Sequence, residues 1–453
     1  MNILFLISVY EDLFLEYIKS NGNSFQNFYG VAYGKNKKTQ NKAYKTVIYF
    51  SEFMNRNDPL SDQEILAIQE FELIANVSIA ECIHADRHIK RLHKNQRELI
   101  ASRILLATLS LISNKKIKII FSEGADDFLS LFLSKYFYNS DEVRFLYAIP
   151  SRLGNLYHFS DNINNAPIGY EKRFKSHIEL GDFNKAKEFI HDYVGKRSQP
   201  SYINSSLNFQ FISWFQIQSF FTYLKRFFKE KNTLHINENP FRLILRKINK
   251  VLIVFRYGLL KKYSLNYQND RYFIFPLQLI PEAATLIQGR KLSNMLSIIE
   301  IISKSLPFGI KLMVKEHPLC IGRREFKIYR ELINFHNVEL LRHDVELYPL
   351  IQNSLGVITI SSSMSLEALL LGKPVAFFGD IYFQNLTNSY SMKNLYEIDK
   401  VINLMLNNKH HWDEIYALVS TILESGFPAN MDPVTYDDLD KLPPLKKYIQ
   451  EFS

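Results

Sequence analysis

The stretch from Lys311 to Asp380 constrains the fold more than any other. It contains KLMVKEHP (311–318) and then LIQNSLGVITISSSMSLEALLLGKPVAFFGD (350–380). Short apolar runs that stop at polar loops, followed by helix-period patterns, read as strand–loop–helix units. Ile310 to Val314 is expected as a strand ending in a loop of Lys315, Glu316, His317 and Pro318. Gly356 to Ile360 is a second strand, ending at Ser361, Ser362 and Ser363. These serines open a helix that carries Glu367 and stops at Gly372. Pro374 to Phe378 is a third, ending at Gly379 and Asp380. Strands alternating with helices pair in parallel, and open parallel sheets collect ligands at their carboxyl ends. Three strand ends would thus bring cationic, hydroxyl and carboxylate groups to one edge.

The same alternation marks the first 150 residues. Strands are expected at Ile3–Val9, Thr46–Phe50, Ile117–Phe121 and Arg144–Ala148. Helical periodicity runs over Gln63–Ile79, His88–Ser113 and Ala125–Tyr138. Residues 151–265 break the pattern, being rich in Asn, Phe, Tyr and Lys, with two long amphipathic segments at 211–231 and 239–263. Tyr272–Leu277 restarts it, followed by helices at Arg290–Ser305, Leu395–Leu406 and His411–Glu424. The tail beyond is expected to return to the first lobe. The division that follows is an N-terminal, acceptor-side lobe (1–150), a helical basic and aromatic insertion or bridge (151–265) and a C-terminal nucleotide-binding lobe (266–453), the two lobes facing a central cleft. Neither lobe has GxGxxG or GxxxxGK[ST], which argues against redox-dinucleotide and P-loop chemistry.

Composition excludes several classes. At 453 residues the chain exceeds a single small core. Cys82 and Cys320 stand far apart and form no disulfide framework, and no Cys–His cluster has zinc spacing, so no zinc site is expected; with no dinucleotide or P-loop motif either, no resident cofactor is expected. The opening MNILFLISVYEDLFLEY lacks a basic leader and is broken by Glu11 and Asp12. It reads as a buried strand rather than a signal peptide. No run reaches the ~20 apolar residues that a membrane span needs. A cytoplasmic protein, or one peripheral on the inner face of the cell membrane, is therefore expected. Between Lys225 and Lys262 eleven Lys/Arg face two acids, Glu230 and Glu238. Eleven minus two is nine, the whole net charge of +9. Such a local patch calls for a local acidic partner, not nucleic acid. Its interleaved aromatics over 211–263 invite an anionic membrane surface or a lipid-linked acceptor.

The candidate chemistry follows from position. Pro318 holds His317 extended after its strand, where the imidazole can donate to a departing phosphate. Lys315 can neutralise phosphate. Ser361, Ser362 and Ser363 exceed the single serine that a helix cap uses, and so point to an anion site. Glu367, four residues beyond Ser363, can accept ribose hydroxyls. In the first lobe Glu123, with Gly124 beside it, is the candidate base for an acceptor hydroxyl, ahead of Asp126 and Asp127. Gln278 and Glu282 lie at another strand end and are weaker substrate-binding candidates, as are Arg87 and Arg152.

Several motifs together resemble one family. YFIFPLQLIPEA (272–283), VKEHP (314–318) and ISSSMSLEALLLGKPVAFFGD (360–380), with ADR (85–87), SEG (122–124) and IPSRLG (149–154), are similar to the capsule polysaccharide biosynthesis family, which includes Kdo-transferase-like bacterial glycosyltransferases. The resemblance implies a GT-B-like α/β architecture of two Rossmann-type lobes, a CMP-activated sugar donor, no obligatory metal and a glycan or lipid-linked acceptor. Through a more distant likeness to bacterial sialyltransferases it implies Glu123 as base, His317 as acid and Ser361–Ser363 as phosphate site. The expected activity is a metal-independent glycosyltransferase moving Kdo or a related acidic sugar. Two alternatives stay open: a teichoic-acid-type polyol-phosphate transferase using a CDP donor, and a non-catalytic assembly protein of the same fold.

Overall fold

The computed structural model describes residues 2–7, 27–34, 42–54, 56, 58–122, 124–154, 156–196, 224, 240–260, 270–279, 284–292, 294–341 and 345–428. Among these, the strands in chain order are β1 (Asn2–Ile7), β2 (Asn27–Ala32), β3 (Tyr44–Tyr49), β4 (Ile117–Ser122), β5 (Arg144–Pro150), β6 (Leu156–Ser160), β7 (Arg271–Pro276), β8 (Ile310–Lys315), β9 (Val338–Leu340), β10 (Gly356–Thr359), β11 (Val375–Phe377), β12 (Ser389–Ser391) and β13 (Phe427–Pro428). They form two sheets, and the chain divides into two compact units. One comprises the described parts of Met1–Ile168, Trp214–Glu238 and Ile422–Ser453, the other those of Gly169–Ser213 and Asn239–Thr421.

The first unit holds a sheet in the order β13-β6-β5-β4-β1-β2-β3. β3, β2, β1, β4 and β5 are parallel, whereas β6 runs antiparallel to β5, and β13, antiparallel to β6, runs with the parallel strands again. Ile3, Phe5, Phe121 and Leu146 fill its core. The parallel strands are apolar on consecutive residues because both sheet faces are covered. The sheet runs past residue 150 into β6, and residues 427–428 come back to pair with it.

The second unit holds the order β12-β11-β10-β7-β8-β9, all parallel. Renumbered from β7, that is 3-2-1-4-5-6, the doubly wound order in which the crevice opens where the winding reverses. The reversal lies between β7 and β10. Their core faces are Phe273 and Phe275 on β7 and Ile358 on β10, fully buried beside Leu312 and Val314 of β8. Both units are therefore α/β with parallel-dominated sheets, as the alternation of patterns requires.

Several boundaries differ from the sequence reading, each for a local reason. The helix expected over Gln63–Ile79 stops at Ala75, because Asn76 is left-handed (φ 48°), and a separate helix, Ile79–Ala85, is capped by Ser78. The helix expected from Ala125 starts at Phe128, because Asp127 caps it through Ser130 N. The helix expected from Arg290 starts at Met295 under the side chain of Asn294. The helices expected at His88 and Leu395 begin at Lys94 and Ile398, each after a short 3₁₀ turn.

Candidate functional site

The carboxyl edge of the second sheet is built from three loops. After β7 come Leu277 and Gln278, after β8 come Glu316 and His317, and after β10 come Ile360 and Ser361–Ser363. Gln278 is buried. With its amide oriented so that oxygen meets donors, Oε1 accepts from Ser361 N at 2.8 Å, from Ser362 N at 2.9 Å and from Thr359 Oγ1 at 3.2 Å. One side chain on β7's loop thus holds β10's loop in place.

Glu316 is buried and its carboxylate is crowded with donors. Arg324 reaches it with Nε at 2.7 Å and Nη2 at 3.2 Å, Tyr329 Oη donates at 2.6 Å, and His317 N donates at 2.7 Å. Arg324 Nη2 also donates to Gln278 O at 2.7 Å. A buried carboxylate and guanidinium are tolerated only when forked and fully hydrogen-bonded. Glu316 therefore does structural work: it fixes the backbone on which His317 stands. His317 itself is half-buried. Burial, and then the positive charges of Arg324, Arg323 and Lys315, push its pKa below the ordinary histidine value. Lys315 Nζ donates to Val345 O at 2.9 Å.

The serines play unequal parts. Ser361 is buried. Ser362 Oγ accepts from Met364 N at 3.3 Å, and its carbonyl accepts from Ser365 Oγ at 2.6 Å. Ser363 is the helix cap, with no side-chain cap bond and an exposed side chain. Glu367 lies one turn along this helix, Met364–Leu370. Its Oε2 is buried with no hydrogen-bond partner, and burial pushes the carboxyl up to about 7. Tyr348, on the helix Leu347–Gln352, is pushed up to about 12 by its own burial and then by the charge of Glu367. At the next strand end, Gly379 is closely packed: a Cβ there would lie 3.0 Å from both Gln288 O and Ile360 O. Asp380 beside it pairs with Arg290 at 3.1 Å.

In the first unit, Asp86 is the fixed point. It is fully buried and accepts from Tyr33 Oη, His88 N, Ile89 N and Phe128 N. It ties the turn carrying Arg87 to the helix after β4. Arg87 faces Asp126 at 3.9 Å. Asp127 is pushed up to about 7 by burial, then by Asp126 and Asp86. Arg152 occupies the β5–β6 connection in a left-handed conformation (φ 65°). Glu123 and Glu282 lie outside the described residues, as does most of the segment 211–239. Among the described residues no group of three or more His, Cys, Asp or Glu side chains is arranged to hold a metal ion, and no helix is long and apolar enough to cross a membrane.

The structure thus draws Gln278, Ser361 and Ser362 into one bonded group, and His317 into another through Glu316. Arg324 joins the two. Sequence reading missed Arg324, Tyr329, Tyr348 and Asp86. Only Asp86 carried a signal, as the middle of ADR (85–87).

A doubly wound parallel sheet with polar loops gathered at its switch point places the second unit in the α/β class. Residues 209–393 match the family described as "Capsule polysaccharide biosynthesis protein". The chain is thus similar to that family over less than half of its length, a stretch that includes the motifs at 272–283, 314–318 and 360–380. A curated relative, capsule polysaccharide modification protein LipA of Neisseria meningitidis serogroup A, is 38% identical over 66 residues, 15% of this chain and 9% of that protein's length. Among solved structures, the Thermosulfurimonas dismutans KpsC beta Kdo 2,7 transferase aligns over 99% of this chain and 97% of its own at 12% identity and a TM-score of 0.40. Anabaena HepE, in complex with UDP and glucose, aligns over 100% and 98% at 11% identity and a TM-score of 0.31.

Proposed function

We propose that this chain is a glycosyltransferase of capsule or other surface polysaccharide assembly, and that its second unit binds the nucleotide-sugar donor. The observation that carries this reading is Glu367. A buried carboxylate oxygen without a donor is costly to leave unsatisfied. Here it sits on the helix that opens at the switch point of a doubly wound sheet, where nucleotides bind. Vicinal ribose hydroxyls are donors of the right kind to satisfy it. The family match over residues 209–393 supports the capsule role.

On this reading Ser362 and Ser363, with Lys315, receive the donor phosphate. His317 donates to the phosphate oxygen as the glycosidic bond breaks, so negative charge develops against a fixed donor. Glu123, after β4 of the first unit, takes the proton of the acceptor hydroxyl. Arg87 and Arg152 are assigned to an acidic acceptor or donor carboxylate, with Glu282 beside the donor. The donor is a CMP-activated acidic sugar, Kdo or a relative, and the acceptor is a glycan or lipid-linked saccharide. The resemblance in sequence supports both. Catalysis is expected to persist in EDTA.

The test is incubation with CMP-Kdo and a short glycolipid acceptor, with mass analysis of the products. Free CMP and an acceptor heavier by one sugar residue support the reading. A new phosphodiester formed only from a CDP-polyol would replace it with polyol-phosphate transfer.

A further inference from the structure

The proposed donor site draws on the ends of β7, β8 and β10 and leaves the end of β11 unused. β11 runs on beside β10 past its last residue: Phe378 N donates to Thr359 O at 3.0 Å and Gly379 N to Ile360 O at 2.9 Å. The turn Ala284–Gln288, on the chain that leaves β7, meets it there, and Asp380 N donates to Gln288 O at 3.1 Å. A Cβ at Gly379 would lie 3.0 Å from Gln288 O, so the two chains touch. Asp380 is thereby held one strand spacing, ~4.8 Å, from the chain that continues into Ser361–Ser363.

The Asp380 carboxylate is oriented but only half covered. Its Oδ2 accepts from Arg290 Nη1 at 3.1 Å, and that nitrogen is itself fixed on Ile287 O at 3.0 Å. The Arg290 side chain is 13% exposed and that of Asp380 42%. Oδ1 of Asp380 has no hydrogen-bond partner among the described residues. A carboxylate with one oxygen pinned and the other unused is an acceptor of fixed direction. We propose that Asp380 binds hydroxyl groups of the sugar carried by the nucleotide donor, and so helps to choose the sugar. On the donor-site reading, on which this rests, the phosphate lies at the serines after β10. The sugar joined to that phosphate is then the part of the donor within reach of the neighbouring strand end. A carboxylate accepts and cannot donate, so it favours hydroxyl groups over phosphate or a sugar carboxylate. An acidic sugar would therefore turn its hydroxyls toward Asp380 and its own carboxylate away.

The 453-residue chain and its Asp380→Asn variant are titrated with CMP by calorimetry, and their KM for CMP-Kdo is measured in the transfer assay. The expected result is a split. CMP affinity stays within about two-fold of wild type, which also shows that the variant is folded, while the KM for CMP-Kdo rises roughly ten-fold or more. Normal CMP binding with an unchanged KM would overturn the role of Asp380 and leave the donor-site reading standing. Equal weakening of CMP and CMP-Kdo would overturn it too, since Asp380 would then act by holding the loop after β7 and not by touching the sugar. A wild-type protein that neither binds CMP nor turns over CMP-Kdo would remove the donor-site reading and the role of Asp380 together.

Discussion

Arg324 Nη2 donates to the main-chain oxygen of Gln278 at 2.7 Å, so one guanidinium joins the loop after β7 to the Glu316 carboxylate after β8. Gln278 in turn holds Ser361 N and Ser362 N. Three strand ends are locked by two side chains, and preorganised donors of this kind lose little on binding an anion.

Removing Arg324 leaves Glu316 buried with its charge uncompensated. Arg324→Ala is expected to lower stability by roughly 3–5 kcal/mol, the cost of breaking one partner of a buried pair. Urea unfolding measures it. A change below about 0.5 kcal/mol would mean the pair is dispensable.

Glu367 gives a pH signature in stability. Its folded-state carboxyl titrates near 7, above the ordinary 4.5, because of burial. The folded state therefore holds a proton that the unfolded state has released between these values. This group's contribution falls as pH rises through that window and is level above it. Glu367→Gln is expected to remove that loss, so its stabilisation relative to wild type grows from pH 5 to pH 8 by up to about 3 kcal/mol. Parallel melting curves for the two proteins across this range would contradict the assignment. The same substitution should weaken nucleotide binding, so stability and function move in opposite directions.

His317 should behave as a binding-linked proton acceptor. Burial and three nearby cations hold its pKa below the ordinary value in the free protein. A bound phosphate reverses that field and raises it. The nucleotide then binds with proton uptake, and affinity falls as pH rises from the free to the bound pKa. Calorimetry in buffers of different ionisation enthalpy reads the uptake near pH 6. Glu367, protonated near pH 6, releases its proton when it accepts the ribose hydroxyls, so the share of His317 is the difference in uptake between wild type and His317→Ala; no difference would show that no phosphate reaches this ring.

The parallel sheets were legible because consecutive apolar residues such as Tyr272–Phe275 and Leu312–Val314 have one stable environment, a sheet covered on both faces. The strand ends at His317 and Ser361–Ser363 were legible for the same reason: polar residues stop the run. β2 and β6 went unread, because NFYGVA and LYHFS mix polar and apolar residues. β9, β12 and β13 are too short to carry a pattern. The role of Glu316 was hidden for a different reason. Its partner Arg324 is eight residues on, past a 3₁₀ turn and Gly322, and no spacing rule links them. Gln278 stood out as a strand-end residue, yet its task is to bind backbone N–H groups of a neighbouring loop, which only the β7–β10 adjacency brings within reach.

The most direct test of the account is a calorimetric titration of the 453-residue chain with CMP, CDP, UDP and GDP, repeated on Glu367→Gln. The account predicts saturable binding with preference for CMP, lost or weakened at least ten-fold, about 1.4 kcal/mol, in the variant. No nucleotide binding in a folded wild-type protein, or CMP binding that Glu367→Gln leaves unchanged, would contradict it.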